Sequence, residues 1–385
     1  MRHNYTIGFD AKSANAEQGG VGSYGRFIIN ALATACSDDA YLRMYLPKRL
    51  PNAEYDSLDA MSNVESMEPD GSLWRKLSFW WQWVRISKDA HRGDVELFHS
   101  LTGRLPFGLS RYDIRSVVSI HDLNYAHFPK HTTIFERTLR SIEMASACRR
   151  ADLVIAASEA TKRDIAHILG INHEKIEVVY EGCNPIYHDE ITEQQVEEVR
   201  LKYELPKRYL LTVGDMEERK NFGLIVDAMA ELSDDVELVV VGRATSYTKR
   251  MKRRIKTLGL EERVHFLRNV PLEDRPAIYK GAEIFVQPSI YEGFSVEILE
   301  ALSVGVPVIA TRGSSHEEAG GDGSIYVSSK DCGELAEAIE RLRGEPLLAL
   351  QMVERGYQHV KLFRSEVAAY NLLKSYRRIG ITLAE

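Results

Sequence analysis

Apolar residues fall in short runs separated by amphipathic stretches. In the first half the runs read as strands at Thr6–Asp10, Leu42–Leu46, Val95–His99, Ser116–Ile120, Leu153–Ala156 and Ile176–Tyr180. In the second half they lie at Tyr209–Val213, Val236–Val241, Val264–Leu267, Ile284–Gln287, Pro307–Ala310 and Ser324–Val327. Several, such as LLTVG, ELVVVG and PVIAT, are almost wholly apolar. A strand with one wet face alternates, so unbroken runs predict parallel strands buried on both faces. Between them lie helical patterns, among them Phe222–Leu232 and Glu297–Ser303. This βα alternation predicts an α/β fold of doubly wound parallel sheets. The pattern lapses at 184–207, NPIYHDEITEQQVEEVRLKYELPK, which is polar and charge-rich. A domain boundary is expected near 185–207. It would separate a Rossmann-like domain over 1–187 from a second over 188–364. Ser365–Ile379 forms one further amphipathic pattern, and 365–385 is expected to cross back to the first domain. Two such domains are expected to face a central cleft, because ligands bind at the carboxyl ends of parallel strands.

The length of 385 residues agrees with two domains. Hydrophobic residues at 44% and charged residues at 27% exclude a disordered chain. The balance of 49 basic and 56 acidic residues excludes a broadly basic nucleic-acid binder. Cys36, Cys148, Cys183 and Cys332 are scattered, without zinc or disulfide spacing. Reduced thiols in a cytoplasmic protein are the plain reading. The start, MRHNYTIGFDAKSA, lacks the apolar core of a signal peptide, and no run is long enough to span a bilayer. A cytoplasmic protein is expected, with membrane contact limited to the periphery of the inner face.

Candidate chemistry lies where strands end. In QPSIYEGFSVEILEALSVGVP (287–307) a strand ends at Gln287 and a helix starts near Phe294. Free N–H groups at a helix start suit a phosphate or a sugar hydroxyl. Glu292 precedes the helix and Glu300 lies about two turns inside it. Eight positions at about 100° each leave the two roughly 80° apart, so they would touch different parts of a long ligand. A carboxylate can accept both hydroxyls of a sugar diol. The bland alternative is a solvated pair on a surface helix. In TVGDMEERKN (212–221), Arg219 and Lys220 close a loop between strand and helix, and Asn221 is placed to cap the helix. Adjacent cations suit a diphosphate, although charged turns are commonly just solvated. In VVSIHDLNYAHFP (117–129), His121 and Asp122 stand at a strand tip. EQGGVGSYGRF (17–27) resembles a nucleotide-binding turn but lacks GxGxxG spacing. Asp38 and Asp39 fall in a loop, not at the end of a second strand, so they do not supply the ribose-binding acid of a dinucleotide site.

EGFSVEILEALSVGVPVIAT resembles the signature of the family-four retaining glycosyltransferases, which have the GT-B fold. The arginine-lysine-asparagine loop and the His-Asp dipeptide have counterparts in that family. The resemblance covers nearly the whole chain, most strongly 206–322 and least 45–95. It implies that Glu292 contacts the transferred sugar and Glu300 the nucleotide ribose. It places the backbone of Gly293, Phe294 and Ser295 against sugar and diphosphate. Arg219 and Lys220 would hold the diphosphate, stabilising the departing charge. His121 would act at the donor sugar. Asp122 would orient it or contact the acceptor. Gly20 and Gly22 would let backbone approach the donor phosphate. The loop near Asn269–Leu272 would pack on the base. Glu297 stands where many members have proline and is expected on the helix surface. No Asp-x-Asp occurs, so no metal and no cofactor are expected, with the two cations in place of a divalent ion.

The implied activity is retaining transfer of a hexose from a nucleotide-diphosphate sugar to a glycan or lipid-linked acceptor, in cell-surface polysaccharide synthesis. Likeness to bacterial polysaccharide mannosyltransferases favours GDP-mannose, with a UDP-sugar next. A GT-B epimerase, a phosphorylase and a non-catalytic sugar-nucleotide-binding subunit are the alternatives. One segment stands apart: LWRKLSFWWQWVRISK (73–88) holds Trp74, Trp80, Trp81 and Trp83 with Arg75, Lys76, Arg85 and Lys88. A basic, aromatic helix over Trp74–Lys88 suits an anionic bilayer surface. The alternative is a helix packed on the first domain with snorkelling cations. Acceptor contact is a further reading.

Overall fold

A computed structural model describes residues 5–15, 20–37, 39–129 and 133–383. The chain divides into two compact units, Met1–Gly182 with Arg364–Glu385, and Cys183–Phe363.

The first unit carries β1 (Tyr5–Asp10), β2 (Ala40–Tyr45), β3 (Val64–Met67), β4 (Leu97–Ser100), β5 (Arg115–Ile120), β6 (Leu153–Ala156) and β7 (Ile176–Val178). Among the described residues they form one sheet in the order β3-β2-β1-β4-β5-β6-β7, with every pairing parallel. β3 has no apolar run to announce it. Only Val64 of its four residues is buried, because it is the edge strand. The helix Ser365–Arg377 belongs to this unit. Its Ala368, Leu372, Leu373 and Tyr376 are buried in one cluster with Ile7, Phe9, Ile28 and Leu32.

The second unit carries β8 (Leu210–Val213), β9 (Leu238–Val241), β10 (Val264–Leu267), β11 (Ile284–Gln287), β12 (Val308–Thr311) and β13 (Ser324–Val327), ordered β10-β9-β8-β11-β12-β13 and again all parallel. The unbroken apolar runs are its central strands. β8, β9, β11 and β12 are buried almost throughout. The unit begins at Cys183, immediately before the polar stretch and ahead of the start expected at 188. Tyr187 explains this: it is fully buried and packs edge-to-face on Tyr279, with ring centroids 5.6 Å apart.

The order of each sheet reverses once, between β1 and β4 in the first unit and between β8 and β11 in the second. Crossover helices leave opposite faces there, so the strand ends diverge and open a crevice.

The Trp-rich segment is not one helix. It comprises a helix over Ser72–Lys76 and, after a turn at Leu77, a second helical run of α-helix at Ser78–Trp80, π-helix at Trp81–Arg85 and α-helix at Ile86–Arg92. Trp81 is buried and donates from Nε1 to Asp89 at 2.8 Å. Leu73, Leu77, Phe79, Trp80 and Val84 are exposed. No helix among the described residues is long and apolar enough to cross a membrane.

Candidate functional site

The reversal point of the second sheet brings two loops together. β8 leads into 214–221 and β11 into 288–295, and the strands pair through Ile284↔Leu210 and Phe285↔Leu211. The Ile290 amide donates to the Arg219 carbonyl at 2.9 Å, tying loop to loop. Close backbone approach shapes the first loop. A Cβ on Gly242 would stand 1.9 Å from the Gly214 carbonyl oxygen. Gly214 itself has φ +141, and a Cβ there would press on the Lys220 stem.

Charge is concentrated at this point. Arg219 Nη1 lies 2.5 Å from Glu292 Oε2, and Lys220 Nζ lies 2.8 Å from Glu292 Oε1. Lys220 Nζ also donates to Glu297 Oε1 at 2.8 Å. Burial alone would raise the Glu292 pKa, but Lys220 and Arg219 outweigh it and hold the carboxyl at about 2. Burial works against the Lys220 charge, yet Glu292 and Glu297 keep its pKa above the ordinary lysine value. Ser314 and Ser315 fix the Glu292 backbone. The Glu292 amide donates to Ser314 Oγ at 2.8 Å, and both hydroxyls donate to its carbonyl. Gln287, Ser295 and His316 are fully buried. Among the described residues, both Gln287 amide atoms, Ser295 Oγ and His316 Nε2 have no hydrogen-bond partner. Orphaned polar atoms are rare in interiors, and a cluster of them marks a place suited to a polar ligand.

Glu300 sits further along the helix Val296–Ser303 in a different setting. Tyr279 Oη donates to its Oε2 at 2.6 Å. Burial pushes its pKa up to about 7. The Tyr279 hydrogen bond opposes that, the Glu297 charge adds to it, and Arg275 and Tyr187 oppose it.

In the first unit, His121 and Asp122 follow β5. His121 Nε2 lies 2.7 Å from the Leu101 carbonyl. A carbonyl only accepts, so Nε2 carries the proton and Nδ1 is the acceptor nitrogen. Burial lowers its pKa, so the ring is neutral at pH 7. Tyr24 packs edge-on against it at 4.5 Å. Tyr24 Oη pairs with Ser119 Oγ at 2.8 Å, which pairs with His99 Nε2 at 2.8 Å. His99 Nδ1 in turn meets Tyr376 Oη at 2.7 Å. Asp122 is engaged locally, accepting from the Asn124 amide at 2.9 Å and from its side chain at 2.7 Å. Gly20 opens the helix Gly20–Ala35, and among the described residues nothing lies within 4 Å of where its Cβ would stand. Gly22 lies in the first turn, where a Cβ would stand 2.6 Å from the Ser13 carbonyl oxygen. Both glycines are thus helical rather than in a loop. Gly19 and Asp38 lie outside the described residues.

Comparison with known proteins bears on this arrangement. Residues 43–186 match the model of Glycosyltransferase Family 4, and residues 194–359 match that of glycosyl transferases group 1. The chain belongs to the family 4 glycosyltransferases. The O-antigen chain mannosyltransferase RfbU of Salmonella typhimurium is 25% identical over 268 residues, 70% of this chain and 69% of the relative. The N-acetylgalactosamine-N,N'-diacetylbacillosaminyl-diphospho-undecaprenol 4-alpha-N-acetylgalactosaminyltransferase of Campylobacter jejuni is 30% identical over 118 residues, 31% of this chain and 30% of the relative. The structure of Anabaena HepE in complex with UDP and glucose matches with a TM-score of 0.77 at 19% identity, covering 97% of this chain and 100% of that one. The fold is GT-B, and the protein is a glycosyltransferase.

In this glycosyltransferase the second unit gathers Arg219, Lys220, Glu292, Gly293, Phe294 and Ser295 around one reversal point, with Glu300 about one turn inside the helix that follows. His121 and Asp122 belong to the first unit, as do Gly20 and Gly22. Two readings of the sequence need correction. Glu297 is not idle on the helix surface: its side chain is 22% exposed and paired with Lys220. Asn221 does not cap the next helix through its side chain. It adopts φ +53 and donates to the Ser329 carbonyl at 2.9 Å. Sequence reasoning passed over Tyr187, Tyr279, Ser314, Ser315 and His316. The run GSSH (313–316) just beyond the apolar PVIAT was the available signal for the last three, since polar residues at a strand's carboxyl end line crevices.

Proposed function

We propose that this glycosyltransferase is a retaining hexosyltransferase. It takes a nucleotide-diphosphate sugar, GDP-mannose first, and passes the hexose to a glycan or lipid-linked acceptor in cell-surface polysaccharide synthesis. The observation that carries the reading is the Arg219–Glu292–Lys220 cluster at the reversal point of the second sheet. The donor diphosphate is drawn to Arg219 and Lys220, which offer a guanidinium fork and an ammonium in a half-dry site. Glu292, released from part of its pairing, accepts from hydroxyls of the transferred sugar. The backbone of Gly293, Phe294 and Ser295, just ahead of Val296, lies against sugar and diphosphate. Glu300 accepts from the ribose diol. Neutral His121 accepts a sugar hydroxyl at Nδ1 without adding charge.

In the transfer, the bond from the anomeric carbon to the diphosphate oxygen breaks and the acceptor oxygen bonds on the same face. The acceptor proton passes to the leaving phosphate oxygen. The enzyme positions the groups and stabilises the charge that leaves. No metal is required, since the two cations stand where a divalent ion would.

Mannose is supported by likeness to RfbU, and a lipid-linked acceptor by the diphospho-undecaprenol in the Campylobacter enzyme's name. Calorimetric titration with UDP, GDP, ADP and dTDP, without metal, tests the donor. Preference for GDP is the expected outcome. Preference for UDP moves the donor to a UDP-hexose, and no binding favours a non-catalytic subunit. The anomeric configuration of the product, read by NMR, tests retention.

Peripheral membrane contact through Trp74–Lys88 is part of the same reading. It rests on Phe79 and Trp80, which are more than half exposed beside Arg75 and Lys76. The outward Phe135, Leu139 and Ile142 of the helix Ile134–Arg150 add to it. Cosedimentation with anionic but not zwitterionic vesicles is expected, and equal recovery in both supernatants removes it.

A further inference from the structure

Lys220 Nζ donates to Glu297 Oε1 and forms an ion pair with Glu292 Oε1, each at 2.8 Å. Arg219 gives Nη1 to Glu292 and Nε to Glu217 at 3.3 Å. The cations of the loop are therefore already neutralised without ligand. Glu292 has a second task at the sugar, and its backbone is anchored by Ser314 and Ser315. Glu297 has none of these ties. It stands in the first turn of Val296–Ser303, where a carboxylate is favoured by the helix field. Among the described residues its side chain has one hydrogen bond, the one from Lys220. An arriving diphosphate must share Lys220 with it, and the two like charges then lie a few ångströms apart in a partly dry site.

We propose that Glu297 is a built-in counter-anion for Lys220. It weakens the hold on the diphosphate and so speeds release of the nucleoside diphosphate product. This rests on the assignment of Arg219 and Lys220 to the diphosphate and adds a residue that tunes it. Glu297 is a positioning residue: it acts through Lys220 and need not touch the donor.

The test compares wild type with Glu297→Gln, which retains an oxygen for Lys220 but removes the charge. A second variant, Glu297→Pro, suits the first helical turn and removes the partner altogether. Nucleoside, nucleoside monophosphate and nucleoside diphosphate of the preferred base are titrated into each. Both variants are expected to bind the diphosphate on the order of tenfold tighter, the monophosphate less so, and the nucleoside unchanged. Product inhibition by the diphosphate should strengthen in parallel. A merely structural role would move all three ligands together. The proposal is overturned if wild-type affinity rises with phosphate number but the variants match it or bind more weakly. Wild-type affinity that does not rise with phosphate number overturns the diphosphate assignment itself, and this proposal with it.

Discussion

The two sheets end in different chemistry. At the reversal point of the second unit the strand ends carry full charges, Arg219 and Lys220 against Glu292 and Glu297. In the first unit they carry neutral histidines and one buried carboxyl met by hydroxyl and amide donors. His121 is held neutral by burial, His99 has its pKa pushed down to about 3, and Asp10 is raised to about 6 by burial against the hydrogen bonds of Thr102, Leu101 and Ser100. One end is built to exchange ionic partners. The other is built to accept and donate hydrogen bonds rather than to exchange ion pairs. A charged leaving group suits the first, and sugar hydroxyls suit the second.

The strongest way to break this contrast is Arg219→Ala. Glu292 keeps Lys220 as a partner, so the variant should fold. Turnover at saturating donor is expected to fall by about 10²–10³, the usual loss for one preorganised donor. A fall of less than threefold would separate Arg219 from the leaving group.

His121→Ala probes the other side. Turnover should fall on the order of tenfold, as for one lost hydrogen bond to a polar ligand. The dissociation constant for the nucleoside diphosphate should stay put, because the nucleotide is assigned to the second unit. A parallel loss of nucleotide affinity would undo that division.

The smallest effect sharpens the contrast within one loop-and-helix segment. Glu292 is held at about 2 and Glu300 raised to about 7, eight residues apart. The charged or titratable groups bearing on Glu300 are Tyr279, Glu297, Arg275 and Tyr187. Diol hydroxyls donate to the ionised carboxyl, so binding below pH 7 must release a proton. Nucleotide affinity should rise several-fold from pH 6 to 8, and Glu300→Gln should flatten the profile. In the free protein the sign is opposite: the raised pKa stabilises the fold below the ordinary carboxylate range, and that contribution disappears as pH rises through 7. Wild type and variant with the same pH profile would remove Glu300 from the ribose.

Most of the fold was legible because buried parallel strands leave unbroken apolar runs, as in LLTVG and PVIAT. β3 was not, since an edge strand such as VESM buries one residue and needs no such run. The charged loop and the two glutamates were singled out through the resemblance of their flanking motifs to a family signature, not by their charge alone. The pairing of Glu297 with Lys220 was not legible, because 77 residues separate them and only the β8–β11 adjacency brings them together. The same holds for Tyr279 on Glu300, where an ordinary core tyrosine becomes a hydrogen-bond donor only in three dimensions.

Tyr376 has one more consequence. The first unit takes part of its core from a helix separated in the chain from the rest by the whole second unit. During synthesis from the amino end, residues 183–363 emerge complete and can condense before that helix exists. Ile7, Ile28 and Leu32 must wait for Leu372, Leu373 and Tyr376 to leave the ribosome. The part of the enzyme made first is therefore the part finished last.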